Sequence, residues 1–227
     1  MNSKKKVDLN CDLGESFGAY SIDIDPGVMK RISSANVACG FHAGDPMVLE
    51  ETVNYAKENN TAVGAHPGLP DLLGFGRRKM DISKDEAKNY IKYQVGALQA
   101  FCESADIKLQ HVKAHGALYN MASNDEELAS GIIEALKGLK NSPICLALSG
   151  SKFASMAEEA GLKVCHEGFA DRAYNKDGTL VSRNREGAVI HDPEALAKRA
   201  VKMVKEDRVK TIEGEVIDIR VDSICVH

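Results

Sequence analysis

The chain has 227 residues, 44% of them hydrophobic, and a formal net charge of −4, which is enough apolar material for one large domain over residues 1–227. The mildly acidic charge gives no basic stripe for nucleic acid, and no apolar run approaches the roughly 20 residues that a membrane helix needs. The residues after Met1 do not form the apolar region of a signal peptide, so we expect a cytoplasmic protein.

Short strand patterns alternate with amphipathic helix patterns along the whole chain. Seven segments are predicted as strands, at 7–12, 34–40, 61–66, 109–115, 143–149, 163–168 and 223–226. Helix starts are predicted at Asp45-Pro46, at the capping boxes Ser83–Glu86 and Ser123–Glu126, at Ser151 and at Asp192-Pro193. Residues 209–219 predict a small hairpin that turns at Glu213-Gly214.

The repeated order of strand and helix predicts parallel strands with helical crossovers, in either an open doubly wound sheet or a closed barrel. The polar residues distinguish the two. Asn10 and Asp12 share one side of the first strand, and Lys113 and His115 share one side of the fourth. An open sheet would bury them against apolar helices at several kcal/mol each, whereas a barrel gathers them at its mouth. We therefore predict an α/β fold, a seven-stranded β/α barrel that is an irregular TIM-type barrel.

Polar and glycine-rich segments follow the predicted strand ends. They contain Asn10, Asp12 and Glu15; His42 and Asp45 within 39–45; His66 within 64–68; Lys113 and His115 within 113–120; and Glu167, Asp171 and Arg172 within 167–174. Carboxylate, imidazole and ammonium groups together suit general acid and base chemistry on an amide. The glycines of 39–45, with the helix that follows, offer a place for an anion.

The histidines at the strand exits are the strongest functional candidates. A lone histidine in a strand is more often a packing residue, but His42, His66 and His115 each stand beside glycine or proline at such an exit. His111, His166 and His191 are expected to be surface or packing residues.

Other readings of the remaining candidates stay open. Asp12 could cap a turn, and Lys113 could be a structural ion-pair partner inside the barrel. The pair Arg77-Arg78 could clamp a phosphate or carboxylate, or lie in a solvated loop. Asp12, His42 and His66 could gather round a divalent ion, although the sequence has no His-Glu-x-x-His motif or cysteine ligand set.

The six cysteines have no Cys-x-x-Cys spacing, and four lie in apolar, strand-like runs. We therefore expect reduced and buried thiols, not disulfides or a zinc knuckle. Cys39 and Cys225 stand close to the predicted site, so a catalytic thiol remains open at these two positions.

The segments 7–15, 35–46, 63–68, 115–120 and 169–174 resemble the LamB/YcsF family, and the resemblance runs from about Val7 to His227. It implies a seven-stranded β/α barrel of the glycoside hydrolase/deacetylase type. It also implies ATP-dependent hydrolysis of 5-oxoproline to L-glutamate, with ADP and phosphate as products and Mg²⁺ accompanying ATP, in a complex with 5-oxoprolinase subunits B and C. Family sequences usually run on past the last predicted strand into a further helix, which the 227 residues do not include.

The resemblance and the absence of a P-loop motif together predict that different subunits carry out the two steps of the reaction. The partner subunits would phosphorylate the lactam, and this chain would bind the activated ring and direct water. Asp12 or His66 would be the base, and Lys113 and His115 would stabilise negative charge. Arg172 or the Arg77-Arg78 pair would hold the substrate carboxylate. The full set of predicted substrate-binding residues is Asn10, Glu15, His42, Asp45, Arg77, Glu167, Asp171 and Arg172.

Two rival functions remain open from the sequence. One is a metal-dependent amide or sugar deacetylase that acts alone. The other is a non-catalytic barrel that binds a small acid and scaffolds its partners, although the density of titratable groups argues against it.

Overall fold

The computed structural model describes residues 6–22 and 26–226, so the two ends of the predicted 1–227 domain lie outside the described residues. The strands are β1 (Asp8–Leu13), β2 (Ser34–Ala38), β3 (Ala62–His66), β4 (Leu109–Val112), β5 (Ile144–Leu148), β6 (Val164–Phe169), β7 (Arg208–Lys210), β8 (Val216–Asp218) and β9 (Ser223–Cys225). The helices are α1 (Pro26–Met29), α2 (Pro46–Glu58), α3 (Lys84–Ser104), α4 (Gly116–Ala122), α5 (Glu126–Lys137), α6 (Lys152–Glu159) and α7 (Pro193–Glu206).

Seven parallel strands close into a barrel in the order β1-β2-β3-β4-β5-β6-β9. Strand β9 completes the barrel because it pairs with β6 on one side and with β1 on the other. The predicted seven-stranded β/α barrel is therefore confirmed. Strands β7 and β8 lie outside the barrel and form an antiparallel pair where the sequence predicts a hairpin.

The helices cover the outside of the barrel and begin largely where their caps predict. Ser83 and Glu86 form a complete capping box at the start of α3, which buries Ile91, Val95 and Leu98 on one face. The predicted capping box at Ser123 is wrong, because its hydroxyl donates to the carbonyl of Tyr119 at the end of α4. The carboxylate of Asp125 caps α5 instead, two residues later.

Two further expectations concern the cysteines and the membrane. No disulfide joins the cysteines among the described residues; Cys165 is half-buried and the other five are buried. Burial raises the pKa of the Cys39 thiol to about 12, which keeps it protonated and unreactive. Within the described part of the chain, no helix is long and apolar enough to cross a membrane.

The inside of the barrel is filled by polar side chains that bond to one another. At the amino-terminal end, the Asp8 carboxylate accepts hydrogen bonds from the hydroxyls of Ser34 and Ser223, at 2.9 and 2.5 Å. These bonds link β1 to both of its neighbouring strands. The half-buried Asp8 carboxylate therefore satisfies the buried hydroxyls of Ser34 and Ser223.

The next layer shows why β3 carries a glycine. The amide nitrogen of Asn36 donates to Asn10 Oδ1 (2.7 Å) and Asp12 Oδ1 (2.8 Å). Its oxygen therefore accepts from Nε2 of His111 at 2.7 Å. The His111 ring crosses the barrel against Gly64, where an added Cβ would stand 2.1–2.2 Å from the ring atoms. Only glycine leaves room for this ring.

We predict that Gly64→Ala and Gly96→Ala change stability in opposite directions. The new methyl at position 64 must displace the His111 ring and break its bond to Asn36, which should cost about 1–3 kcal/mol or more. Gly96 lies exposed in α3 with nothing within 4 Å of an added Cβ, so alanine should stabilise by about 0.5–1 kcal/mol. Urea unfolding of both variants measures the difference, and a neutral Gly64→Ala would contradict the packing described.

Candidate active site

A polar cleft with a cavity volume of about 790 Å³ opens at the carboxyl ends of the barrel strands. The four predicted catalytic residues, Asp12, His66, Lys113 and His115, all line it. The structure therefore brings together side chains that lie up to about a hundred residues apart in the sequence. Their placement follows from the rule that parallel barrel strands present their carboxyl ends at one mouth.

The segment after β4 keeps its strand-like geometry beyond the end of the strand. The sequence predicts a strand to His115, but β4 ends at Val112. The backbone nevertheless continues to pair with the β3 side, because Lys113 N–H donates to Ala65 O (2.9 Å) and His115 N–H donates to Pro67 O (2.8 Å). This pairing preserves the alternation, so both side chains face the cleft.

Lys113 is the buried cation of the site. Its ammonium lies 3.0 Å from Asp12 Oδ1, 2.8 Å from Glu167 Oε1 and 3.2 Å from Cys225 Sγ. Burial alone would lower the pKa of Lys113, but Asp12, Cys225 and Glu167 outweigh it and raise the pKa well above its ordinary value. Lys113 is therefore a fixed positive charge and not a proton acceptor.

Glu167 anchors this ammonium from the barrel interior. It is fully buried, and its carboxylate accepts from Asn10 Nδ2 at 3.0 Å and from the Tyr119 hydroxyl at 2.7 Å. Burial raises the pKa of Tyr119 well above its usual range, so the phenol remains a donor. Glu167 and Asn10, both predicted to bind substrate, have their contacts satisfied within the protein. No pattern in the sequence predicts that Tyr119 donates a hydrogen bond to Glu167.

A second group, which we call the histidine cluster, consists of Glu15, His42, His66 and His115. Its potential ligand atoms lie within 4.8 Å of one another. The rings of His42 and His115 stack with centroids 3.7 Å apart and an angle of 1° between their planes. Glu15 Oε1 lies 3.8 Å from both His42 Nε2 and His115 Nδ1. These donor atoms are of the kinds that hold a transition-metal ion.

Two rings of the histidine cluster, those of His42 and His115, are uncharged at neutral pH. Burial lowers the pKa of His42 well below 6.5 and, aided by His66 and His42, lowers the pKa of His115 to about 2. Burial also raises the pKa of Glu15. The sequence predicts a grouping of Asp12, His42 and His66; Asp12 lies at its edge, with Oδ2 3.3 Å from His66 Nε2.

The loop at 71–78 covers the histidine cluster. Phe75 and Gly76 both have positive φ, at 53° and 62°, and this turn directs the Phe75 carbonyl to Nε2 of His115 at 2.8 Å. A Cβ at Gly76 would stand 2.8 Å from atoms of His42 and His115. The Gly74-Phe75-Gly76 motif is the sequence signal for this contact, although the sequence does not reveal its target.

The candidate clamp arginines have different surroundings. Arg77 and Arg172 line the cleft; Arg172 donates from Nη2 to Val181 O at 2.6 Å and keeps a buried Nε without a hydrogen-bond partner. Arg78 instead pairs with Asp71 and holds the pKa of that carboxyl at about 2. Of the predicted Arg77-Arg78 clamp, only Arg77 therefore remains a candidate for binding a phosphate or carboxylate in the cleft.

Of the predicted substrate-binding residues, only Arg77 and Arg172 line the cleft. The six that do not are Asn10, Glu15, His42, Asp45, Glu167 and Asp171. The carboxylate of Asp45 accepts from the backbone N–H groups of Gly18 (2.7 Å), Met47 (2.8 Å) and Val48 (3.1 Å). The helix N-terminus proposed for an anion is thus already capped by the protein's own carboxylate. Asp171 is half-buried behind the cleft wall, where its backbone carbonyl accepts from Ile190 N–H.

Comparison with known proteins gives matches over nearly the whole chain. The model of the LamB/YcsF family matches residues 7–227. The 5-oxoprolinase A subunit of Thermococcus onnurineus (strain NA1) is 61% identical over 222 residues, which cover 98% of this chain and 87% of that protein. The protein of the same name from Thermococcus sibiricus is 58% identical with the same coverage.

Two solved structures are similar. The lactam utilization protein of Thermus thermophilus superposes with a TM-score of 0.93 at 45% identity and covers 98% of this chain and 90% of that one. A putative cellobiose-phosphate cleavage protein of Enterococcus faecalis V583 has a TM-score of 0.53 at 15% identity, with coverage of 99% and 81%. The second likeness concerns the fold alone.

We predict that His111 makes the fold acid-sensitive. Burial lowers the pKa of His111 from 6.5 to about 4, so below pH 6.5 the unfolded chain binds a proton that the folded chain refuses. Stability should fall by roughly 3 kcal/mol between about pH 6.5 and pH 4 through this residue. Because other buried histidines also titrate, the measurement is the difference in urea stability between the wild type and His111→Gln, which keeps a donor for Asn36. Equal slopes in both proteins would contradict the prediction.

Proposed function

The chain belongs to the LamB/YcsF family, and on that premise we propose that it is the A subunit of a 5-oxoprolinase. The complex hydrolyses 5-oxoproline to L-glutamate and couples this reaction to hydrolysis of ATP to ADP and phosphate. The observation that carries the proposal is the identity of 58–61%, over 98% of the chain, to proteins named as the A subunit of 5-oxoprolinase. The cleft supports it, because its carboxylates, imidazoles and ammonium suit the opening of an amide.

The chemistry of the substrate explains the need for ATP. A five-membered lactam is a poor electrophile, and its closed ring is strongly favoured over the open amino acid. Phosphorylation of the amide oxygen activates the ring carbon. Water then adds to that carbon, the ring C–N bond breaks with its electron pair passing to nitrogen, nitrogen takes up a proton, and hydrolysis of the resulting acyl phosphate releases phosphate and glutamate.

The two parts of this reaction belong to different subunits in our proposal. The sequence contains no P-loop motif, so we assign phosphorylation, with Mg²⁺ accompanying ATP, to partner subunits B and C. The relatives carry the name of one lettered subunit of their enzyme, which supports membership of a multi-subunit complex. This chain binds the activated ring and positions the water.

The geometry of the cleft suggests a role for each side chain. His66 Nδ1 lies 2.8 Å from the carbonyl of Lys113 and donates to it, so Nε2 carries the lone pair that faces Asp12. Asp12 or His66 takes the proton from water, and the Lys113 ammonium stabilises the negative charge that develops on the oxygen bound to the attacked carbon. The predicted stabilising role of His115 does not fit this geometry, because the ring is uncharged and its N–H donates to Phe75 O. The carboxylate of 5-oxoproline binds to Arg77 or Arg172 at the cleft wall.

A second function is favoured by the histidine cluster. Three imidazoles and one carboxylate within 4.8 Å would suit a metal-dependent amide or sugar deacetylase that acts without partners. The non-catalytic scaffold is less well supported, because it does not explain why the buried Lys113 ammonium lines an open cleft. The same reconstitution separates the three functions.

We predict that the purified chain alone neither hydrolyses ATP nor produces glutamate from 5-oxoproline. Addition of subunits B and C should give glutamate and ADP in equal amounts, measured by chromatography and a coupled ADP assay. Mixtures from which each protein is omitted in turn are the controls. Metal-stimulated hydrolysis of simple amides or acetylated sugars by the chain alone would favour the deacetylase. Full turnover by the partners without this chain would favour the scaffold.

We also predict that Lys113→Met lowers the coupled rate by roughly 10²-fold or more per folded molecule. The substitution also leaves Asp12 and Glu167 without their buried cation, so the thermal unfolding temperature should fall. The double variant Lys113→Met/Glu167→Gln removes one of these charges and should recover stability. It should not recover activity.

The control for these variants is Lys92→Met, which makes the same change at an exposed position on α3 and should alter neither quantity. Rates are measured well below the unfolding transition of each protein. Activity that returns in the double variant along with stability would mean that Lys113 is structural only. Normal activity in Lys113→Met would remove this residue from the reaction.

A further inference from the structure

Two nitrogens of the histidine cluster face each other with no hydrogen available between them. His66 Nδ1 lies 2.8 Å from Lys113 O, and His115 Nε2 lies 2.8 Å from Phe75 O. A carbonyl oxygen only accepts, so each of these nitrogens carries its ring's hydrogen. The remaining nitrogens, His66 Nε2 and His115 Nδ1, are then bare lone pairs 3.0 Å apart. Lone pairs at that distance repel unless a cation lies beside both.

His42 decides what kind of cation fits. Its side chain is fully buried, and neither Nδ1 nor Nε2 has a hydrogen-bond partner. A buried polar group without a partner is costly and points to a missing ligand. A proton shared by His66 and His115 would satisfy those two rings but would leave His42 unsatisfied. A metal ion reaches all three rings at once.

The surroundings hold the rings in place for such an ion. The carbonyls of Lys113 and Phe75 bind the outer nitrogens of His66 and His115, which is the arrangement that orients metal-binding imidazoles in proteins. A Cβ at Gly68 would stand 2.5 Å from His42 Nδ1, so this glycine lets the backbone close over that ring. The pocket is therefore built around the imidazoles and is not a chance gathering at the surface.

We propose that Glu15, His42, His66 and His115 bind one divalent transition-metal ion, with zinc as the reference ion. Four ligand atoms about 2.0–2.2 Å from a zinc ion are about 3.4 Å apart, and the atoms here lie within 4.8 Å of one another. Binding requires His42 to rotate out of its parallel stack with His115, because the lone pairs of parallel rings do not point at one ion. Imidazole ligands favour zinc, cobalt or nickel over magnesium and calcium.

The position of the site gives it access to the cleft. His66 and His115 line both the cluster and the cleft, so the bound ion borders the volume open to substrate. Asp12 touches both groups, with Oδ1 on Lys113 and Oδ2 3.3 Å from His66 Nε2. With the ion bound, His66 Nε2 is a ligand, so Asp12 and not His66 is the base of the proposed reaction. The inference rests on these contacts and does not depend on the identity of the substrate.

Metal binding is tested on the full chain after removal of metal with a chelator. Isothermal titration with Zn²⁺ should show one site, and Co²⁺ should give the visible absorption bands of a four- or five-coordinate ion with nitrogen ligands. Thermal unfolding should shift upward with Zn²⁺, and Mg²⁺ should have little effect. Absence of a single Zn²⁺ site, or equal binding of Mg²⁺, would overturn the proposal.

Variants locate the ion. His42→Phe keeps a ring in the stack but removes both nitrogens, and it should weaken Zn²⁺ binding by roughly 100-fold or more. Glu15→Gln, at the half-buried edge, should weaken binding by about 10-fold and guards against a folding defect in the first variant. His191→Phe, on the surface, should leave the affinity unchanged. Wild-type affinity in both His42→Phe and Glu15→Gln, with circular dichroism confirming their folds, would refute the site.

Discussion

The structure depends on the requirement that polar groups inside a closed barrel find partners within the protein. Asn10, Asn36 and His111 are buried, so the amides and the imidazole of this layer must bond across strands. The bond from Asn36 to Asn10 joins the neighbouring strands β1 and β2, and the bond from His111 to Asn36 passes over β3 and joins β4 to β2. The same requirement places Glu167 beneath Lys113, because a buried ammonium needs a carboxylate. The candidate active site is the uppermost layer of this network, where the pairing becomes incomplete and the cleft begins.

That uppermost layer has two electrostatic halves. On one side stands a permanent positive charge, Lys113, held by buried anions. On the other side stand the buried imidazoles of the histidine cluster, of which His42 and His115 are uncharged. Asp12 joins the halves, since one of its oxygens accepts from the ammonium and the other approaches His66. A substrate in the cleft would meet a fixed cation and a basic lone pair on opposite sides of one carboxylate, which suits a reaction in which charge develops as a proton leaves water.

The fold was predictable from sequence because side-chain alternation in a strand is local. Asn10 and Asp12, or Lys113 and His115, share a face whatever lies around them, and the polarity of that face excludes a sheet covered on both sides. The predicted strands agree with the observed ones except at β2 and β4, which end before residues 40 and 115. Helix α4 was missed because His115 makes no capping bond from its side chain, so no sequence signal separates the end of the strand from the start of the helix.

The roles of individual site residues could not be predicted in the same way, because they depend on contacts between residues far apart in the sequence. The Asp45-Pro46 pair predicts a helix cap, but nothing near it shows that Gly18 also donates to the Asp45 carboxylate. Likewise, nothing near Arg78 shows that Asp71 binds it. The histidine cluster depends on Phe75 and Gly76 folding over His42 and His115, a contact that no local pattern encodes.

The way β9 closes the barrel has a consequence for how the chain folds. The hydroxyl of Ser223 bonds to Asp8 across 215 positions of sequence, so the last cross-strand bonds join the two most distant parts of the sheet. Closing so long a loop is entropically slow, and the ladder edges of β1 and β6 stay open until it happens. An open edge is ordinarily a template for intermolecular pairing. In this protein the inner face next to the open edges carries serine, asparagine and aspartate side chains. These groups are well solvated when the barrel is still incomplete. The polar side chains that line the finished barrel would therefore also keep the partly folded sheet soluble until β9 closes it.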